Sequence, residues 1–222
     1  MVVLVHGAWH GAWCWDAVVK ELSDRGVAAA AVELPLTGFG NDVTAVRRAL
    51  EEAGEGVVVC AHSYGGMVVS TAARGLPGVR HLVFLAAFQT DEGEDMATLL
   101  MREPSALTAA FAIGPDGVTV DPSRLHEVFC ADSDPSVAED LAARLRPMPL
   151  DDPGVMSGEP AWKAVPSTYV VCARDNAIAP VTQRYMAARA GQVVEWDTDH
   201  SPFLTRPAEV ADLLLSRARP SS

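Results

Sequence analysis

Val57-Val58-Val59-Cys60-Ala61-His62-Ser63-Tyr64-Gly65-Gly66-Met67 decides how this chain is read. Its first four residues are an unbroken apolar run, the pattern of a strand buried on both faces. Residues 65–74 place Met67, Val68 and Ala72 on one side, which predicts a helix. Between them lies small-x-Ser-x-Gly, with Ala61 where glycine is usual. A strand that turns this sharply into a helix lifts the Ser63 hydroxyl clear of the sheet. Small residues two before and two after the serine let strand and helix approach. The five-residue pattern is common by chance in glycine-rich turns. Its place between a buried strand and a helix gives it meaning.

Outward from this turn the same rhythm repeats. Residues 2–5 predict a strand running into His6-Gly7-Ala8-Trp9-His10-Gly11, residues 16–23 a helix, and residues 27–34 a second strand. A helix is expected from Asp42 until Gly54 and Gly56 break it, and a strand at 81–86. This β-α-β-α-β-α-β order predicts a parallel sheet with helices on both faces. The rhythm then stops. Residues 88–166 hold amphipathic stretches at 96–101, 106–113, 125–130 and 137–145, and a hairpin turn at Pro115-Asp116-Gly117. It resumes with a strand at 168–172, a helix at 181–190, a strand at 193–196 and a helix at 208–217. The expected architecture is an α/β core of residues 1–87 and 167–222, with residues 88–166 inserted as a mainly helical cap.

Four features follow predicted strands and fit one chemistry. Ser63 is the candidate nucleophile. The turn after the first strand aims a backbone N–H at it, so Ala8 and Tyr64 are the candidate oxyanion donors. Asp175 ends the strand Thr168-Tyr169-Val170-Val171-Cys172 at the edge where open α/β sheets bind ligands. His200 lies in Asp197-Thr198-Asp199-His200-Ser201-Pro202-Phe203 and is the only histidine in the last third of the chain. Taken singly, each has a plain structural reading: a turn serine, a cap aspartate, a solvated histidine. Their order, Ser63, Asp175, His200, is one of the known orders of a Ser-His-Asp triad. Among the rivals, His62 adjoins Ser63 and points away, and Asp197 and Asp199 share the short loop of His200.

Composition narrows the alternatives. A chain of 222 residues with 49% apolar and 21% charged residues is an ordinary globular length and mix, so disorder is excluded. The net charge of −12 repels phosphate backbones and anionic lipid, so neither nucleic acid nor membrane is an expected partner. No apolar run approaches the roughly 20 residues of a membrane helix. Cys14, Cys60, Cys130 and Cys172 are too scattered for a metal site and are expected reduced and buried. No metal or cofactor is implied. The opening residues lack an export signal, so a cytoplasmic location is expected. Monomer and homodimer both remain open.

The stretches at 6–15, 61–67, 169–175 and 199–203 resemble the α/β-hydrolase superfamily, within it the methylesterase and hydroxynitrile lyase group and its bacterial esterase relatives. The resemblance implies a mostly parallel six-stranded sheet, with Ser63 as nucleophile, Asp175 as acid and His200 as base. It implies an esterase acting on small apolar or aromatic esters. The lyase branch of that group carries a threonine after the first-strand histidine and a lysine after the catalytic histidine; here those positions are Gly7 and Ser201. A carbon–carbon lyase and a non-catalytic small-molecule receptor are the alternatives. Met96, Leu99, Phe111, Phe129, Met148 and Trp162 either line an apolar pocket or pack the cap onto the core.

Overall fold

Val2 and Leu4 join one hydrophobic core and Val3 and Val5 another, and all four are buried. A strand with two buried faces needs helices on both sides of its sheet. The computed structural model describes residues 1–149 and 154–218; the expected cap and core ranges also take in 150–153 and 219–222, which lie outside the described residues.

The chain runs β1 (Val2–Val5), α1 (Asp16–Asp24), β2 (Ala29–Val32), α2 (Phe39–Ala53), β3 (Val57–His62), α3 (Gly65–Ala72) and β4 (Val79–Leu85). It continues through α4 (Met96–Leu100), β5 (Phe111–Gly114), β6 (Gly117–Val120), α5 (Leu125–Phe129) and α6 (Ser136–Arg144). It closes with β7 (Ser167–Cys172), α7 (Pro180–Ala187), β8 (Gln192–Trp196), α8 (Pro202–Thr205) and α9 (Pro207–Ala218). Six strands pair in the order β2-β1-β3-β4-β7-β8, and every pairing is parallel. The expected α/β sheet is therefore present, complete with its six strands.

Trp15, Leu22, Phe203 and Leu214, from the N-terminal and C-terminal helices, cover the face of Val2 and Leu4. Val46, Leu50, Met67 and Met186, from α2, α3 and α7, cover the other. The chain leaves β1 toward β2 on one side and later returns to β3 on the other. That reversal opens a crevice at the C-terminal ends of β1 and β3, where the loops of Ala8 and Ser63 emerge.

Two local expectations change. Residues 106–113 do not form a helix: β5 pairs antiparallel with β6, Phe111 opposite Val120 and Gly114 opposite Gly117. Pairing across the expected turn overrides the helical spacing of Leu107, Ala110 and Phe111, and Val118 bridges onward to Met148. The segment between β4 and β7 thus combines a hairpin with short helices. Helix α2 starts at Phe39 rather than Asp42. The Asp42 carboxylate accepts from Leu36 N–H (2.8 Å), in the loop before the helix, and from Tyr64 O–H (2.8 Å), beyond β3. No helix among the described residues is long and apolar enough to cross a membrane.

Candidate active site

Ser63 has φ of 52°, in the left-handed region that a residue with a side chain rarely adopts. Its carbonyl accepts from Gly66 N–H and Phe88 N–H, both at 3.0 Å, which pins the turn between β3 and the residues after β4. Glycine is required next to it. A Cβ on Gly65 would lie 2.6 Å from the His6 carbonyl oxygen, and one on Gly66 would lie 2.8 Å from that of Phe88. The serine itself is 7% exposed.

The loop after β1 reaches the same spot. A Cβ on Gly7 would lie 2.8 Å from Ser63 Cβ and 3.4 Å from its Oγ. His6 holds this loop from inside: its Nδ1–H donates to the Gly7 carbonyl (2.8 Å) and its Nε2 accepts from Leu34 N–H (3.0 Å). Burial pushes its pKa down to about 3, so the neutral ring is the one that fits. His10 Nδ1–H likewise donates to the Ala8 carbonyl (2.8 Å), and burial lowers its pKa to about 4.

His200 and Asp175 meet between the loops after β8 and β7. His200 Nδ1–H donates to Asp175 Oδ2 at 2.6 Å, and both residues are buried. The other carboxylate oxygen accepts from Ala177 N–H (2.6 Å) and Ile178 N–H (2.9 Å). Gln183 adds a donor that sequence reading missed. Its Nε2 donates to Asp175 Oδ2 (2.7 Å) and to the Ile178 carbonyl (2.8 Å), while its Oε1 accepts from Cys172 N–H (2.9 Å). A glutamine on an amphipathic helix carries no sequence signal of such a role.

The rival residues have other partners. His62 Nε2–H donates to the His200 carbonyl (2.9 Å), and the two rings lie 4.4 Å apart. His62 supports the His200 loop, and burial holds its pKa well below the ordinary histidine value. Asp199 accepts from Ser201 N–H (2.9 Å) and Asp132 N–H (2.8 Å). Asp197 pairs with Arg174 at 2.7 Å.

A cavity of about 260 Å³ opens beside Trp9 and Tyr64, the neighbours of Ala8 and Ser63. Met96, Leu100, Phe111 and Met148 form much of its wall. Three of the six apolar residues singled out from sequence thus line it. Leu99 and Phe129 pack in the core, and Trp162 donates its Nε1–H to the Thr90 carbonyl at 2.9 Å. No charged side chain among the described residues lines the cavity, so its described wall suits an apolar group.

Known proteins match along the whole chain. It is 30% identical to Methylesterase 2 of Arabidopsis thaliana, over 97% of this chain and 95% of that protein. It is 26% identical to an alpha/beta hydrolase of Aspergillus novofumigatus, over 98% and 96%. The crystal structure of polyneuridine aldehyde esterase superposes with a TM-score of 0.85 at 21% identity, covering 98% of each chain, a likeness of fold. The profile of the alpha/beta hydrolase family matches residues 2–213, from the first strand into the last helix, and this protein belongs to that family.

Proposed function

We propose that this chain is a carboxylic-ester hydrolase in which Ser63 is the nucleophile, His200 the general base and Asp175 the acid that orients it. The observation that carries this reading is the buried 2.6 Å hydrogen bond from His200 to Asp175, together with a serine held at φ 52° in the turn after β3. Similarity to a methylesterase supports the reaction class.

Ser63 Oγ attacks the ester carbonyl as His200 Nε2 takes its proton. Asp175 stabilises the imidazolium through Nδ1–H. The Ala8 and Tyr64 amides hold the oxyanion, and each such donor is typically worth about 10²–10³ in rate. His200 then gives its proton to the departing alcohol. It next activates the water that releases the acid from the acyl-enzyme. Residues 88–166 act as a cap, and their apolar wall selects small apolar or aromatic groups.

Lyase chemistry is disfavoured at two positions. Gly7 has no side chain to hold a cyanohydrin oxygen, and a Cβ there meets Ser63 Cβ at 2.8 Å. Ser201 places no cation beside His200 to stabilise cyanide. The two lysines are engaged elsewhere, Lys20 with Asp24 and Lys163 with Asp91, each at 2.6 Å.

The test is hydrolysis of a p-nitrophenyl ester series beside cyanide release from mandelonitrile, for wild type and Ser63→Ala. The wild type is expected to hydrolyse esters far faster than it cleaves mandelonitrile. Ser63→Ala is expected to lose about 10⁴–10⁶ in kcat, on the scale of serine-protease nucleophile deletions. More than a tenth of the activity surviving in a clean preparation refutes Ser63 as the nucleophile.

A further inference from the structure

Trp9 has φ of 64°, a region that a bulky side chain rarely enters. Such a conformation persists only where the surroundings over-determine it. Here the fastening comes from the segment between β4 and β7. Trp9 Nε1–H donates to the Val118 carbonyl on β6 at 2.8 Å. Arg146 N–H donates to the Trp9 carbonyl at 2.8 Å, and Arg146 Nη2 donates to the His10 carbonyl at 2.8 Å. The Val118 carbonyl is itself fixed, since it also accepts from Met148 N–H at 2.9 Å. The Trp9 ring lies 5.9 Å from that of Phe111 and 6.0 Å from that of Phe129. It also forms part of the wall of the apolar cavity.

Trp9 directly follows Ala8. Rotation about φ of Trp9 swings the Ala8–Trp9 peptide plane, which is joined through Ala8 Cα to the Gly7–Ala8 peptide that carries the Ala8 N–H. The indole is therefore both a wall of the pocket and the handle of the loop that carries one oxyanion donor.

We propose that Trp9 is a positioning residue: through its indole N–H, the β5–β6 hairpin sets the direction of the Ala8 amide. This inference rests on the esterase reading above. It makes pocket and oxyanion hole one mechanical unit. An apolar group that fills the cavity packs on the ring whose N–H is tied to the hairpin. Binding energy from the non-reacting part of the ester is then expressed where the oxyanion forms, in the transition state, more than in ground-state binding.

The test uses two variants of the full chain and three readouts. Trp9→Phe keeps an aromatic ring and loses the N–H. Trp9→Gly pays no steric penalty at a left-handed φ, so it separates the side chain from the backbone. The readouts are kcat and KM on p-nitrophenyl butyrate, affinity for phenylethaneboronic acid as a tetrahedral analogue, and hydrogen exchange of residues 6–11. For Trp9→Phe, kcat is expected to fall about tenfold with KM changed less than about twofold, the signature of an interaction made in the transition state. Boronate affinity is expected to fall in step with kcat, and exchange at 6–11 to accelerate. Trp9→Gly is expected to lose at least as much. A raised KM with unchanged kcat overturns the proposal and leaves Trp9 as pocket wall. Full kcat in Trp9→Gly overturns it too, because the backbone alone then suffices. Failure of the esterase reading shows separately, as turnover retained in Ser63→Ala. In that event unchanged exchange at 6–11 still overturns the role of Trp9 in holding the loop, and accelerated exchange upholds it.

Discussion

Asp175 accepts from four donors: two backbone amides, Gln183 and His200. A buried carboxylate so surrounded has one geometry, and through it the His200 ring has one orientation. Gln183 is the part of this arrangement that serves stability most directly. Replacing it with leucine leaves Cys172 N–H buried without its acceptor and removes a donor from Asp175. Gln183→Leu is expected to lower unfolding free energy by about 1–3 kcal/mol, the usual cost of stranding a buried polar group. Its kcat is expected to fall with KM little changed. Urea denaturation and steady-state kinetics check this, and unchanged stability contradicts it. The contrast with Ser63, Asp175 and His200 shows what sequence conveys at this scale. Each of those three sits in a loop after a strand, with a residue type whose chemistry is specific. Gln183 and Trp9 act through partners far away in the chain, and no local pattern announces such partners.

At the scale of elements, legibility follows the range of the forces involved. The inner strands β1, β3, β4 and β7 were readable because burial on both faces imprints continuous apolar runs, and the less buried edge strands β2 and β8 from short apolar runs in the same strand-helix rhythm. The turn at Pro115-Asp116-Gly117 was readable from its own residues. The strand β5 was not, because Phe111 and Ile113 are 40% and 73% exposed and carry no inward alternation. Its conformation comes from pairing with β6, not from its own residues. The turn from β3 into α3 makes the same point through contact distances. A Cβ on Gly65 meets two backbone oxygens, His6 O at 2.6 Å and Val5 O at 3.0 Å, and neither can move without shifting β1. Gly65→Ala is expected to cost about 1–3 kcal/mol through overpacking and to lower activity by pushing Ser63 away from Gly7. Gly40, within α2, has open space around its Cβ position. Gly40→Ala is therefore expected to stabilise by about 0.5–1 kcal/mol through helix propensity. Thermal unfolding of the pair tests this, and equal shifts in the same direction contradict it.

The whole molecule carries a stability that depends on keeping its histidines neutral. His6, His10 and His62 are each buried, and each donates its N–H to a backbone carbonyl, that of Gly7, Ala8 and His200 respectively. Burial pushes His6 down to about 3 and His10 to about 4, and holds His62 well below the ordinary value of 6.5. In the unfolded chain the same rings take up protons below about 6.5. The unfolded state then binds more protons than the native state, so stability falls as pH falls. The loss begins near pH 6.5 and continues toward pH 4 for His10 and pH 3 for His6. Well inside that window each ring contributes a slope of about 1.4 kcal/mol per pH unit. Most carboxylates titrate lower, so the interval from pH 7.5 to 5.5 isolates the histidines. Urea midpoints are expected to be level above pH 7 and to drop between pH 6.5 and 5.5. His10→Asn keeps a donor for the Ala8 carbonyl and carries no titrating ring, so its drop is expected to be shallower by the share of one histidine. A wild-type midpoint that stays level down to pH 5.5, or a His10→Asn curve parallel to it, refutes the account. The same neutral rings then could not be what fastens the loops of Ala8 and His200 to the sheet.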